Sequence, residues 1–197
     1  MARTAAQVLD TQNSTLDWAR QVAIVVGATL FIAICARITV PLPFTPVPLT
    51  LQDFAVLLVG LALGARRGFA ALVLYLAEGA SGMPVFNPLG PGGIAQLLGP
   101  TGGFLLVYPF VAALAGWILS TGKSTFARAA MASLLAEIVL FAGGISWLAV
   151  LTHSVTRALQ AGLYPFIPGA IIKIMFAAGI ASGSKWIYNT RIRKALP

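Results

Sequence analysis

One lysine stands inside an apolar helical run, Pro168-Gly-Ala-Ile-Ile-Lys-Ile-Met-Phe176. An ammonium at such a place is costly to bury and marks a functional group by default. Its neighbours at i−4, i−3 and i+4 are Gly169, Ala170 and Ala177, so helical spacing sets Lys173 on a stripe of small residues that faces other helices rather than lipid. Snorkelling to the nearer membrane surface is the structural alternative. Contact with a ligand is the reading adopted, because polar Gln52, Asp53, Asn87 and Gln96 occur among Phe44, Tyr75, Phe86, Phe104, Tyr108, Tyr164 and Phe166. That mixture suits a small, partly apolar ligand with a polar head, and a buried ammonium favours a carboxylate.

The remaining reactive types form no catalytic set. Gly116-Trp-Ile-Leu-Ser-Thr-Gly-Lys-Ser124 resembles a phosphate-binding loop, but five residues rather than four separate its glycines, and it follows an apolar run instead of a strand. It is read as a turn. His153 is the one histidine and has no acid or nucleophile near it in sequence, so it is read as a solvated side chain. Cys35, the one cysteine, lies in an apolar run and is read as a small packing residue, which excludes an intramolecular disulfide or a thiolate metal cluster. Glu78 either lines a cavity or reaches water. Glu137 is read as an interhelical group paired with Arg128 or another basic residue, with proton coupling as the alternative. No enzyme, metal or organic cofactor is implied.

These groups need elements to hold them. Of 197 residues 58% are hydrophobic and 9% charged, and the mean hydropathy is +0.90, a composition of a polytopic membrane protein. Apolar runs at about 20–38, 51–65, 68–80, 104–120, 127–152 and 168–186 predict six membrane helices. The second and third are kept apart because one helix through both would put Arg66 and Arg67 in the bilayer, at about 2.5–3.5 kcal/mol each. Arg3, Arg20, Arg66, Arg67, Lys123, Arg128, Lys185, Arg191, Arg193 and Lys194 then fall on one side, against Arg37 and Arg157 on the other. The positive side faces the cytoplasm, which puts both termini there. The net charge of +8 is thus a topology signal and not a nucleic-acid footprint. The expected organisation is a cytosolic tail over 1–19, a six-helix domain over 20–190 and a basic tail over 191–197.

Three long outer connections remain, 39–50, 81–103 and 153–167, all rich in proline, glycine or aromatic residues. Irregular backbone at membrane depth is tolerated where it is buried in protein or lines a cavity, so these segments are expected to roof an outward-facing pocket. Small residues spaced by four, at Ala19, Ala23 and Gly27, at Gly60 and Gly64, and at Ala112, Gly116 and Ser120, allow close helix packing within the bundle or against a partner.

The residues that carry a family likeness are Pro46-Val-Pro-Leu-Thr-Leu-Gln52, Gly82-Met-Pro-Val-Phe86, Gly92-Gly93 and Leu98-Gly-Pro-Thr-Gly-Gly-Phe104. From about Arg20 to Tyr188 the chain resembles BioY, the biotin-binding S component of energy-coupling-factor vitamin transporters. The resemblance implies an all-α, six-helix membrane bundle that captures biotin from outside. It implies Gln52, Phe86, Asn87, Thr101, Phe104 and Lys173 as pocket residues, with Lys173 meeting an anionic or polar end of the ligand. It further implies docking through Ala19, Ala23 and Gly27 to a membrane coupling protein driven by two cytosolic ATPases, or a homo-oligomer if the protein acts alone. An S component for thiamine or riboflavin, or a non-transporting scaffold, is the alternative. The family pattern Pro-Gly-Asp-x-x-Lys reads Pro168-Gly169-Ala170-Ile-Ile-Lys173 here. The missing aspartate leaves Lys173 in need of another acid, with Asp53 and Glu78 as candidates.

Overall fold

The computed structural model describes the backbone of residues 5–195 and the side chains of residues 17–183. Arg3 and the side chains of Lys185, Arg191, Arg193 and Lys194 lie outside the described residues. The long helices are α1 (Ala5–Arg37), α2 (Gln52–Ala80), α4 (Gly102–Ser120), α5 (Phe126–Thr152) and α7 (Ile167–Ala195). Short helices α3 (Gly93–Leu98) and α6 (Val155–Gly162), with a 3-10 turn over Tyr164–Phe166, occupy the second and third long connections. A two-residue antiparallel ribbon, β1 (Thr39–Val40) with β2 (Leu49–Thr50), pairs Thr39 with Thr50 and closes the base of the first. The bounds 19/20 and 190/191 do not coincide with helix ends, since α1 and α7 run through them.

Among the described residues, five helical segments are long and apolar enough to cross a membrane: Asp17–Arg37, Gln52–Ala80, Gly102–Ser120, Phe126–Thr152 and Val155–Gly183. The runs expected at 51–65 and 68–80 are the two arms of α2, separated at Gly64, whose φ of +79° is not helical. In an unbroken helix Gly60 and Gly68 would be separated by about 12 Å of rise. Instead a Cβ added to Gly68 would stand 3.3 Å from the Cα of Gly60. The chain doubles back at Gly64, where a glycine takes a left-handed conformation at little cost, and its two arms lie against one another.

The hairpin is locked by α4. A Cβ on Gly60 would collide with the backbone of Ala112, and one on Gly116 would fall 2.6 Å from the nitrogen of Ala65. Absent side chains thus let three helical segments touch backbone to backbone, the packing mode available where lipid removes the hydrophobic drive. Arg66 and Arg67 are exposed just beyond this crossing. The central packing includes Ile32, Leu57, Leu72, Tyr75 and Leu119, each fully buried. The reverse face of α7, at Ile171, Ile172, Met175 and Phe176, is exposed.

The expected phosphate-loop lookalike is a helix-to-helix turn. Thr125 caps α5 by accepting a hydrogen bond from the Arg128 N–H at 3.3 Å, and Arg128 donates to the Thr121 hydroxyl at 3.2 Å. Because overpacking typically costs about 1–3 kcal/mol, Gly116→Leu is expected to lower the unfolding midpoint in detergent, whereas Gly27→Leu, with no atom within 4 Å of the new Cβ, is expected to leave it unchanged.

Candidate ligand-binding cavity

Lys173 lies in the second turn of α7, a helix that begins Ile167-Pro168, with proline where its missing N–H costs nothing. Ala170 and Ala177 on the same side are buried, so the stripe of small residues turns the lysine inward as its spacing predicts. Its ammonium donates to both carboxylate oxygens of Asp53, at 2.7 Å each, and to the carbonyl of Thr50 at 2.8 Å. All three N–H bonds are therefore engaged. Side-chain exposure of 12% for the lysine and 18% for the aspartate puts the pair mostly out of water. Asp53 stands in the first turn of α2, where the helix dipole favours a carboxylate. It supplies the acid that position 170 lacks.

Above this pair lies a cavity of about 60 Å³. Gln52, Asn87, Thr101, Phe104 and Lys173, five of the six residues expected from sequence, line it together. Asn87 is buried and its Oδ1 accepts the Leu89 N–H at 3.1 Å, which directs its amide nitrogen elsewhere. Gln52 is 2% exposed and its Nε2 has no partner among the described residues. Phe86 is not in the lining. It packs edge-on against Tyr75, with ring centroids 5.5 Å apart, and covers Gly79. The lining residues with no sequence signal of their own are Leu140 and Phe141 on α5 and Leu105 on α4.

The Gly99-Pro-Thr-Gly-Gly-Phe104 segment is moulded on α5. The indole N–H of Trp147 donates to the Gly99 carbonyl at 2.9 Å, and Gly103 approaches so closely that a Cβ there would strike Trp147 and stand 2.7 Å from the Gly143 carbonyl. Phe104 in turn lies over Gly144. The glycines let the start of α4 sink onto α5, and this sets Thr101 and Phe104 at the cavity wall. Trp147 was not among the sequence candidates, although the adjacent Gly143-Gly144 pair signals a close approach.

The first connection is tied down in the same way. Thr45 donates to the Ala161 carbonyl at 2.6 Å and accepts the Val47 N–H at 3.1 Å. Arg37 donates to the Pro84 carbonyl, and the Tyr75 hydroxyl to that of Val85 at 2.8 Å. The first connection is thus tied to the third, and the second to helices α1 and α2. The third connection is mostly helical, since Ser154 caps α6 after His153 leaves α5 in a left-handed conformation at φ 50°. His153 is exposed.

Two acids lie elsewhere. Glu78 accepts a hydrogen bond from the Thr29 hydroxyl at 3.1 Å and thereby joins α2 to α1 rather than lining the cavity. Glu137 is 2% exposed with neither carboxyl oxygen partnered among the described residues. The expected pairing with Arg128 does not form, because that guanidinium reaches back to Thr121. Ala19, Ala23 and Gly27 lie along an exposed face of α1. No group of three or more histidine, cysteine, aspartate or glutamate side chains is placed to hold a metal ion among the described residues.

A helical membrane bundle with a charged pair at the floor of a loop-roofed cavity is the class of protein that binds a small molecule within the membrane. The chain belongs to the BioY family, whose model matches residues 5–190. It is 38% identical over 163 residues to a probable biotin transporter BioY of Pyrococcus horikoshii, covering 83% of this chain and 94% of the relative. It is 36% identical over 153 residues to the biotin transporter BioY of Thermotoga maritima, covering 78% and 88%. Among solved structures, it resembles the S component for biotin from an ECF-type ABC transporter, at TM-score 0.75 and 27% identity over 93% of this chain and 95% of that one. The proteins of this family are transporter components rather than enzymes.

Breaking one partner of a buried pair typically costs about 3–5 kcal/mol, while replacing both by apolar groups is often neutral. Lys173→Met alone is therefore expected to lower the unfolding midpoint, and the double variant Lys173→Met with Asp53→Leu to recover most of the loss. Gly103→Val is expected to abolish ligand binding through the clash with Trp147, and Trp147→Phe to weaken it by about tenfold, the equivalent of one hydrogen bond of about 1.4 kcal/mol; titration of each purified variant checks both.

Proposed function

We propose that this chain is the biotin-capturing S component of a vitamin uptake system in the cytoplasmic membrane, taking biotin from the outer side and mediating its passage inward. The observation that carries the reading is the convergence of Gln52, Asn87, Thr101, Phe104 and Lys173 on one cavity, in a chain whose relatives are named biotin transporters. Phe86 supports this wall from behind, through Tyr75 and Gly79. Because the Lys173 donors are already shared between Asp53 and Thr50, a ligand carboxylate would have to displace an acid from a mostly buried cation. A neutral group that both accepts and donates hydrogen bonds meets the pair without breaking it. The cyclic urea of biotin is such a group: its N–H bonds can go to the spare lone pairs of Asp53, and its carbonyl can take over one Lys173 N–H now given to Thr50 or Asp53 without separating the two charges.

The fold-back at Gly64 makes six crossings of the five long segments, with two short arms in the second. Gly116, near the end of α4, packs on Gly64 and Ala65, which supports a common end for Arg66, Arg67, Lys123 and Arg128. That end faces the cytoplasm, both termini with it, and the cavity opens to the outside. Energy for uptake comes from a coupling protein with two cytosolic ATPases that docks on the exposed Ala19, Ala23 and Gly27 face, or passage is mediated by a homo-oligomer.

Titration of ligand-free protein in detergent with biotin, thiamine and riboflavin tests the reading. Saturable binding of biotin, undisturbed by excess of the other two, is the expected result. Absence of biotin binding by protein that retains its cooperative unfolding transition would overturn it.

A further inference from the structure

Glu137 is buried in the bundle with neither carboxyl oxygen bonded among the described residues. A carboxylate so placed is costly to keep ionised, and it is relieved by a cation or by a proton. One turn earlier on α5 the Ser133 hydroxyl is likewise buried and unpartnered among the described residues. Both side chains stand on the buried stripe of α5 that also carries Ala136, Leu140 and Gly144. Leu140 and Phe141 line the cavity at Lys173, and Glu137 precedes them by three and four residues, about 4.5–6 Å of helical rise. The acid thus lies one helical turn from the cavity wall, inside the bundle.

The groups that face it decide between cation and proton. Tyr108 on α4, Lys173 on α7 and Asp53 in the first turn of α2 all line that cavity, and all three are within electrostatic reach of Glu137. Of the other ionisable groups on α5, Arg128 turns to Thr121 and His153 is exposed, as is Arg157 on α6. Two carboxyl groups therefore share this neighbourhood with a single cation among the described residues, and that ammonium is given to Asp53 and Thr50. One added proton makes the set electroneutral, and Glu137, which has no cation of its own, is where it is held. A divalent metal ion is the poorer fit, since Ca2+ takes about six to eight oxygen ligands and this place offers the Glu137 carboxylate and the Ser133 hydroxyl.

We propose that Glu137 is a proton site linked to the cavity: it carries a proton when the cavity is filled and can give it up when the cavity holds water. This rests on the proposed capture of biotin. Water beside Asp53 and Lys173 screens a second carboxylate nearby, whereas a ligand that displaces this water strengthens the repulsion between Asp53 and Glu137. The ionised form is penalised more in the filled state. Binding then draws one proton from solvent onto a Glu137 oxygen, turning carboxylate into neutral acid. An event that takes up a proton weakens as pH rises through the titration of the group, by up to about tenfold per pH unit for one proton. Capture is thereby favoured where the cavity faces the more acidic solution, and release where it faces the more alkaline one.

The test is calorimetric titration of ligand-free, detergent-purified protein with biotin between about pH 6 and about pH 9, where the ligand's own carboxyl stays ionised. Each pH is measured in two buffers of different ionisation enthalpy, so that the difference in heat gives the protons exchanged. The wild type is expected to take up as much as one proton per biotin toward the alkaline end and to lose at least about tenfold in affinity across the range. Glu137→Gln keeps the shape of the neutral acid, and is expected to bind at the alkaline end as tightly as the wild type does at the acidic end, with no proton uptake. Glu137→Leu is expected to show the same flat profile, so that a folding defect in one variant leaves the other to decide. Binding by the wild type with no proton uptake and a constant affinity would overturn the proposal. A pH slope and proton uptake that survive in either variant would overturn it too, and would assign the proton to Asp53, Tyr108 or Lys173. Failure of biotin to bind at any pH would instead remove the reading on which the proposal rests.

Discussion

An ammonium and a carboxylate closed on each other inside an apolar bundle are the constraint around which this protein is arranged. Asp53 begins α2 and Lys173 lies near the start of α7, so a single contact joins segments 120 residues apart. Two charges taken out of water are rarely worth their desolvation as a source of stability. Their retention has meaning when they are needed for something else. Here they form an electroneutral platform at the floor of a cavity, the spare lone pairs of Asp53 beside an ammonium whose N–H bonds are shared between Asp53 and Thr50. The long connections at that end of the bundle lie around this platform and hold it mostly out of water.

The roof meets this demand with backbone more than with side chains. Irregular chain cannot lie in lipid with its polar groups unsatisfied, and each long connection answers the problem by bonding to another connection or to a neighbouring helix. Thr45 reaches Ala161, Arg37 reaches Pro84, and Trp147 holds Gly99. At the opposite end of the bundle the same economy of side chains applies to packing, where Gly60, Gly68 and Gly116 bring α2 and α4 together. Glycine therefore has two separate roles. Around residue 64 it lets helices turn and touch, and around residues 102–103 it lets a loop lie flat against a helix.

Much of this could be read in the sequence because charge and apolarity are strong signals in a membrane. The inward direction of Lys173 followed from Gly169, Ala170 and Ala177, and five of six expected pocket residues meet at one cavity. What the sequence hid was pairing across distance. Asp53 was one of two acids able to replace the one absent at 170, and nothing local to it distinguished it from Glu78, which bonds Thr29 instead. Phe86 carried a family motif, yet its ring turns to Tyr75, because aromatic type alone does not fix which neighbour a side chain chooses. The fold-back of α2 was legible only as two arginines that no membrane centre would accept; the glycine that makes the turn, Gly64, looked like one more small residue in a packing stripe. Leu140 and Phe141 were invisible, since apolar residues in an apolar helix carry no mark of facing a ligand.

The most direct test of the central role given to the ion pair is the biotin affinity of Asp53→Asn beside that of the wild type, measured by titration calorimetry with the unfolding temperature of both. Asparagine keeps the shape and removes the charge that holds Lys173 in place and that, in the proposed site, accepts from the ligand. The account requires an affinity at least about tenfold weaker, equivalent to about 1.4 kcal/mol or more, in a protein that still unfolds cooperatively. Biotin binding as tight as in the wild type would contradict it, and would make the pair a structural tie between α2 and α7 rather than the floor of the site.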